Sequence, residues 1–224
     1  MPGVFRPRSD SWMLARRLRD ELEPGASVAD VCTGSGVLAV SAAMAGAGDV
    51  TAVDVSRRAA LTARLNARLN GVSVRALRGD LLEPLAGRRF DLIVSNPPYV
   101  PAEDDELPTS GPQRAWDAGR DGRALLDRIC ARAADHLQPG GTVLIVHSSV
   151  CGEDRTIEML AERGLSAEVV IRARGPLGPL LGERAATLEQ RGLLAPGARE
   201  EDIVVIRGRR SSTGDRQRAG GTPP

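Results

Sequence analysis

The chain has 224 residues, which is enough for one α/β domain with a sizeable buried core. Its formal net charge is +1 and only 2% of its residues are aromatic, which argues against a basic or base-stacking surface for nucleic acid. The three cysteines, Cys32, Cys130 and Cys151, show no CxxC spacing, so we expect neither a disulfide framework nor a metal site.

The start of the chain does not resemble a signal peptide, because Arg6, Arg8 and Asp10 interrupt any apolar run. No stretch reaches the roughly 20 apolar residues that a membrane-spanning helix needs. We therefore expect a cytoplasmic protein without a membrane anchor.

Apolar periodicity and turn residues predict strands that alternate with helices, which is typical of a parallel sheet covered on both faces. In the first part of the chain we expect a helix over 11–22, a strand over 27–32, a helix over 37–45, a strand over 50–54, a helix over 56–69 capped by Ser56, and strands over 72–77 and 90–95. A polar loop follows over 101–122. After it we expect a helix over 123–137 ended by 138–141, a strand over 142–147, a helix over 153–163 and closing strands over 165–171 and 203–206.

This pattern predicts a division of the chain into three parts. Residues 1–25 form a lead-in and helix, 26–207 form the main domain, and 208–224 form a disordered tail rich in Arg, Ser, Gly and Pro. The insert at 172–202 is rich in Gly, Pro and Arg, and we expect a short helix near 183–191.

A glycine-rich turn joins the first predicted strand to the next helix. It reads Asp30-Val31-Cys32-Thr33-Gly34-Ser35-Gly36. Glycines there let the backbone approach a ligand, and the helix presents its N-terminal N–H groups to that ligand. Asp54 ends the next strand, where a carboxylate can accept hydrogen bonds from both hydroxyls of a ribose. The same spacing fits the dinucleotide fingerprint, so this turn alone leaves NAD and S-adenosylmethionine (SAM) both open.

Two further acids favour SAM over NAD, since an NAD site requires neither. Asp30 lies within the strand before the loop, where its carboxylate can meet the ammonium of the methionine moiety. Asp80 ends the third predicted strand and can face an adenine amine, although a helix cap is the structural alternative.

Asn96-Pro97-Pro98-Tyr99 follows the fourth predicted strand. The two prolines fix φ, remove two backbone donors and keep the residue before each of them extended. Asn96 and Pro97 can therefore present oxygen acceptors to a ligand, and Tyr99 adds an aromatic face. Together these groups can hold a planar –NH2 between two acceptors and stack on its plane. A rigid turn without function is the alternative.

With these motifs the chain resembles the class I SAM-dependent methyltransferases and, more narrowly, the HemK/PrmC-type release factor glutamine methyltransferases. The resemblance covers about residues 5–207 and rests on the motifs at 30–36, 54, 80–81, 96–99 and 115–122. Cys32 stands where glycine is more usual. Residues 6–11 resemble the lead-in of the compact archaeal and eukaryotic branch, which lacks the N-terminal helical domain of bacterial members. The resemblance implies a Rossmann-like seven-stranded sheet, mostly parallel, with an antiparallel final strand and helices on both faces.

The resemblance also implies roles for particular residues. The catalytic set would be Asn96, Pro97, Pro98 and Tyr99. SAM would be held by Asp10, Asp30, Cys32, Thr33, Gly34, Ser35, Gly36, Asp54, Asp80, Leu81 and Asn96.

The implied reaction is methylation of the glutamine side-chain amide in the Gly-Gly-Gln motif of a peptide chain release factor. We therefore expect a protein substrate rather than nucleic acid, and a small activator protein stays open as a partner. The alternatives are methylation of an exocyclic amine of adenine or guanine in RNA or DNA, a lysine or small-molecule methyltransferase, a non-catalytic SAM-binding subunit, and an NAD-dependent oxidoreductase.

Overall fold

A computed structural model describes residues 7–212 and forms, within that range, a seven-stranded sheet flanked by helices. The strands are β1 (Ser27–Val31), β2 (Asp49–Asp54), β3 (Arg75–Arg78), β4 (Phe90–Ser95), β5 (Leu137–Ser148), β6 (Leu165–Pro176) and β7 (Glu200–Arg210). The helices are α1 (Ser9–Glu21), α2 (Val37–Met44), α3 (Arg57–Leu69), α4 (Ala124–Ala133), α5 (Glu153–Glu162), α6 (Pro179–Glu183) and α7 (Ala185–Gln190). In this range no helix is long and apolar enough to cross a membrane.

The strand order is β3-β2-β1-β4-β5-β7-β6. The neighbours from β3 to β5 are parallel, whereas β7 runs antiparallel to both β5 and β6. This confirms the predicted Rossmann-like sheet with an antiparallel final strand. Because the order reverses at β1, the carboxyl ends of β1 and β4 border the crevice in which open α/β sheets bind their ligands.

The helices cover both faces of the sheet, as predicted. One buried cluster joins Leu14 and Leu18 of α1 to residues of α2 and α3, and the other joins Leu126 of α4 and Leu160 of α5 to the opposite face. Along β1, Val28 belongs to the first cluster and Ala29 to the second, which is the alternation expected of a strand. Helix α1 therefore packs into the same core as the sheet.

The predicted third strand, over 72–77, is wrong at its start. The Val72 amide donates to the Ala67 carbonyl (3.0 Å) and so closes the end of α3. Pairing with β2 begins only where Arg75 meets Thr51. The end of α3 therefore takes Val72, and the strand begins three residues later than alternation alone assigns it.

The predicted helix over 123–137 ends earlier, at Ala133, and the strand predicted over 142–147 starts earlier, at Leu137, so residues 138–141 lie within β5. Leu137 is fully buried and pairs with Phe90, and the register then shifts before Leu92. Gly140 has φ +80° at this irregularity, which is the kind of position where a strand accommodates glycine.

The closing strands are longer than predicted. They form an antiparallel pair in which Arg172 lies opposite Val204, and the Arg172 guanidinium donates diagonally to the Asp202 carboxylate (2.9 Å). The predicted insert at 172–202 therefore shrinks to 177–199, and the expected short helix is α7. Strand β7 also takes 208–210 from the predicted disordered tail, while 213–224 lie outside the described residues.

Candidate active site

A cavity of about 650 Å³ opens at the carboxyl edge of β1, β2 and β4. Its volume lies in the range typical of small-molecule sites. All the predicted site residues line it except Asp30 and Gly36, which are buried. The residues brought together are Asp10, Cys32, Thr33, Gly34, Ser35, Asp54, Asp80, Leu81, Asn96, Pro97, Pro98 and Tyr99.

Asp30 holds the glycine-rich loop from inside the protein. It is fully buried, and its Oδ2 accepts hydrogen bonds from the Thr33 hydroxyl (2.5 Å) and the Ala39 amide (3.0 Å). Its Oδ1 has no hydrogen-bond partner among the described residues. Burial raises the pKa of the Asp30 carboxyl to about 7, although the two hydrogen bonds oppose this. The geometry thus gives Asp30 a supporting position and no direct contact with the cavity.

The loop itself depends on left-handed backbone at three positions. Cys32, Gly34 and Gly36 have φ of +61°, +54° and +83°. A Cβ on Gly36 would lie 2.7 Å from the Ala63 Cα atom, so α3 packs directly on the glycine. Cys32 takes a conformation that side chains disfavour, which explains why glycine is more usual there. Burial raises the pKa of the Cys32 thiol well above its usual range.

Asp54 connects this loop to β2. Its Oδ2 accepts from the Gly34 amide (2.9 Å) and its Oδ1 from the Ser56 amide (2.8 Å). Burial raises the pKa of Asp54, while these two hydrogen bonds and the charge of Arg114 lower it. Each carboxylate oxygen keeps further acceptor capacity, as a ribose-binding acid requires.

The adenine-side pair lies at the end of β3. The Asp80 carboxylate accepts from Arg128 at 2.6 Å, and both side chains are about two-fifths exposed. Leu81 is nearly buried and has φ +47°. Both residues line the cavity, and the adenine contact stays a prediction.

The Asn-Pro-Pro-Tyr motif is tied to the start of α1, more than eighty residues earlier in the chain. The Tyr99 hydroxyl donates to Asp10 Oδ2 (2.8 Å), and the Asn96 side-chain nitrogen donates to the Ser11 hydroxyl oxygen (3.0 Å). The Ser11 amide (2.6 Å) and its hydroxyl (3.3 Å) both donate to Asp10 Oδ1. Ser11 was not predicted, because no local pattern links it to Asn96.

This chain of hydrogen bonds has a direction. The Asp10 carboxylate only accepts, so the Ser11 hydroxyl donates its hydrogen bond to Asp10 and accepts one from Asn96. The Asn96 amide nitrogen is thereby fixed against Ser11, and its Oδ1 oxygen is left as an acceptor. The arrangement can therefore receive an N–H group from a ligand.

No histidine lines the cavity within the described residues. His147 is fully buried between the Ser148 carbonyl (2.8 Å) and the Thr156 hydroxyl (3.0 Å), and burial lowers its pKa to about 4. Burial and the Asp10 carboxylate raise the pKa of Tyr99 well above its usual range, so its hydroxyl stays protonated. Neither group can act as a general base at this site.

Comparison with known proteins places these features in a family. A model of the methyltransferase small domain matches residues 2–110. A putative protein N5-glutamine methyltransferase of Methanocaldococcus jannaschii is 36% identical over 180 residues, which is 80% of this chain and 90% of that protein. The chain belongs to the HemK/PrmC-type family of SAM-dependent methyltransferases. SAM is therefore the cofactor of this methyltransferase, and the NAD-dependent alternative is excluded.

Bacterial relatives of the methyltransferase are longer. The release factor glutamine methyltransferase of Geobacter sulfurreducens is 36% identical over 150 residues, and the match covers 64% of this chain and 53% of that protein. The chain thus spans about half the length of that relative. A ribosomal protein uL3 glutamine methyltransferase of Francisella tularensis is 36% identical over 156 residues, which is 63% of this chain and 49% of that protein.

Solved structures agree on the fold. The Mtq2–Trm112 complex of E. cuniculi, responsible for methylation of the eRF1 translation termination factor, has a TM-score of 0.63 at 21% identity, covering 93% of this chain and 99% of that chain. A T. thermophilus 16S rRNA N2 G1207 methyltransferase in complex with AdoMet and guanosine has a TM-score of 0.61 at 22% identity, covering 94% and 46%. At these identities the likeness concerns the fold alone.

Proposed function

We propose that this methyltransferase methylates the glutamine side-chain amide in the Gly-Gly-Gln motif of a peptide chain release factor. The observation that carries the proposal is the direction of the hydrogen bonds from Asn96 to Ser11 to Asp10, which leaves the Asn96 Oδ1 as an acceptor. The names of the relatives, which include protein and release factor glutamine methyltransferases, support the same acceptor. Action on a release factor would place the protein in the cytoplasm.

The cavity suits SAM in size and in donor set. The backbone of Cys32, Thr33 and Gly34 would face the methionine moiety, and Asp54 would accept from the ribose hydroxyls. Asp80 and Leu81 would border the adenine. SAM supplies an electrophilic methyl group on a sulfonium.

Asn96 and Pro97 would orient the acceptor nitrogen. A carboxamide nitrogen is a poor nucleophile because its lone pair is delocalised into the carbonyl. If the Asn96 Oδ1 and the Pro97 carbonyl accept its two hydrogens, the nitrogen is held with its face toward the methyl group. Orientation of this kind contributes up to roughly 7–11 kcal/mol in ideal intramolecular cases. The same two oxygens stabilise the positive charge that develops on the nitrogen.

The proton leaves after the methyl transfer. An N-alkylated amide that carries a positive charge is strongly acidic, so water can accept its proton without a general base. This agrees with the absence of histidine from the described cavity wall and with the protonated Tyr99. The Tyr99 ring would pack on the acceptor amide and exclude bulk water.

Radioactive methyl transfer from tritiated SAM tests the acceptor. The chain alone is assayed against a purified release factor, against the same factor with its motif glutamine changed to alanine, and against total RNA. We expect label on the intact factor only. Label on RNA alone would overturn the proposed acceptor, and labelling by the chain alone would show that it needs no activator protein.

Two variants separate the acceptor role from SAM binding. Asn96→Ala should lower the rate of methyl transfer by about 100-fold or more, because it removes one of the two oriented acceptors, and SAM affinity should stay within about tenfold. Asp54→Ala should weaken SAM binding first. Equal loss of both properties in Asn96→Ala would contradict the acceptor role.

A further inference from the structure

The segment at 177–199, which we call the α6–α7 arm, connects β6 to β7 and packs beside the acceptor side of the cavity. Leu181, Leu188 and Leu194 of the arm form a small buried cluster with Val150, and Val100 packs against it. Val100 directly follows the Asn-Pro-Pro-Tyr motif in the chain. The arm therefore has its own apolar core, and that core includes the continuation of the motif.

Arg184 of the arm reaches the loop at 101–122 from one side. Its Nη1 donates to the Pro101 carbonyl (2.6 Å) and to the Asp117 carboxylate (2.7 Å). The Arg184 side chain is 28% exposed and that of Asp117 is 12% exposed, so this ion pair is largely shielded from water. Arg184 thus joins the beginning of the loop to its end.

Arg191, which follows α7, also joins the two ends of the loop. Its Nη1 donates to the Ala102 carbonyl (2.6 Å) and the Arg120 carbonyl (3.2 Å), and its Nη2 donates to the Glu103 carbonyl (3.0 Å). Five backbone or carboxylate oxygens of one loop therefore accept hydrogen bonds from two arginines of the arm.

Other hydrogen bonds also join the two ends of the loop, among them those from the Arg120 amide to Asp105 (2.9 Å) and from the Arg120 Nη1 to the Glu103 carbonyl (3.2 Å). The amides of Val100 and Ala118 donate to the carbonyls of Trp116 (2.7 Å) and Val100 (3.0 Å), and the Ala102 amide donates to Gly119 (2.8 Å). Trp116 lines the cavity beside Tyr99 and Val100, and Leu180 of the arm lines it as well. The arm and the loop therefore build the cavity wall beside the Asn-Pro-Pro-Tyr motif together, and Arg114 of the same loop acts on Asp54.

We propose that Arg184 and Arg191 are positioning residues for methyl transfer: they hold the loop at 101–122 so that this cavity wall and the Asn-Pro-Pro-Tyr motif keep the geometry that the acceptor amide needs. The inference rests on the proposed function for its kinetic consequence only. A guanidinium with its five donors can serve several carbonyls at once, and one of these carbonyls belongs to the buried Pro101. Lysine can keep the charge but only part of this geometry.

Hydrogen exchange and kinetics of an Arg184→Gln/Arg191→Gln double variant test the proposal. We expect the amides of Val100, Ala102 and Ala118 to exchange at least about tenfold faster than in the wild type, and those of β1 and β2 to keep their protection. The kcat for methyl transfer should fall by about 10- to 100-fold, because a displacement near 1 Å has that effect, while the dissociation constant of SAM stays within about threefold. Arg184→Lys/Arg191→Lys should recover part of the lost kcat.

Arg199→Gln is the matched control on the same arm. Within residues 7–212, the Arg199 side chain donates to Glu189 and to the Ala198 carbonyl and makes no hydrogen bond to the loop, so neither loop exchange nor kcat should change. If the double variant unfolds, Arg191→Gln alone is measured, since it keeps the ion pair of Arg184 with Asp117.

The outcomes separate this inference from the proposed function. Unchanged loop exchange and unchanged kcat in a folded variant would overturn the positioning role, as would an equal loss of SAM binding. Faster exchange in the loop together with a wild type that labels no release factor would support the arm's structural role and overturn the proposed acceptor.

Discussion

Tyr99→Phe removes a single hydroxyl that bridges the Asn-Pro-Pro-Tyr motif to α1. That hydroxyl donates to Asp10 Oδ2 at 2.8 Å, and the Asp10 residue is only 7% exposed. The other carboxylate oxygen already accepts from Ser11. The variant keeps the aromatic ring and leaves the Asp10 Oδ2 without this donor, so it isolates one buried hydrogen bond.

A hydrogen bond to a charged group contributes about 1.5–3 kcal/mol to stability. We therefore expect Tyr99→Phe to lower the free energy of unfolding by about 2 kcal/mol at neutral pH. The pKa of Tyr99 is raised in the folded protein, so this contribution is fully present below the ordinary tyrosine pKa near 10 and is lost as the pH rises through the folded value. The difference between wild type and variant should accordingly shrink in strong alkali.

Urea denaturation measures the effect, with the slope m as a check that both proteins unfold in the same way. Asp10→Asn and the double variant Asp10→Asn/Tyr99→Phe complete a double-mutant cycle. Since Tyr99 is the single tyrosine, tyrosinate absorbance also follows its ionisation without interference. A cost below about 0.5 kcal/mol, or the same cost in the Asp10→Asn background, would refute the reasoning.

Two further predictions concern the glycine-rich loop. The pKa of Asp30 is raised to about 7, so its contribution to the free energy of unfolding is fully present below pH 4 and is lost as the pH rises to 7. This pH dependence is worth about 4 kcal/mol. Asp30→Asn should remove it, which unfolding measured from pH 4 to 8 checks. Gly36→Ala forces a contact with Ala63 and should lower the free energy of unfolding by about 2–3 kcal/mol more than Gly25→Ala does. Gly25 is the control because it has a similar φ of +80° but open space around it. Equal melting temperatures of the two variants would contradict this.

Sequence patterns predicted correctly those elements that depend on residues close to one another in the chain. The strand at 90–95 has the predicted bounds, and Ser56 caps α3 by accepting from the Ala59 amide (3.3 Å). The glycine-rich loop and Asp54 could be predicted to lie together, as the bond from the Gly34 amide to Asp54 shows, because they belong to one strand–turn–helix unit and the end of the next strand.

The sequence could not show what is built between distant segments. Ser11 meets Asn96 across 85 residues, and Arg184 meets Pro101 across 83. The sequence does not distinguish an exposed arginine from one that holds a loop, because the difference depends on which carbonyls the fold brings near the guanidinium. The start of β5 was missed for a related reason, since its pairing with Phe90 overrides the turn preference of Pro139 and Gly140.

Strand β7 lies between β5 and β6, although it follows both in the chain. During synthesis, β1 to β4 can assemble with the glycine-rich loop once the first half of the chain has emerged, whereas β6 has no neighbour in the described sheet until β7 inserts. The α6–α7 arm connects these two strands, and we expect its arginines to settle on the 101–122 loop once the two strands have paired. Pairings of such long separation form late. We therefore expect a nascent chain to build the glycine-rich loop and the Asn-Pro-Pro-Tyr motif first, and to gain the support of the arm for the loop at 101–122 only when β7 is in place.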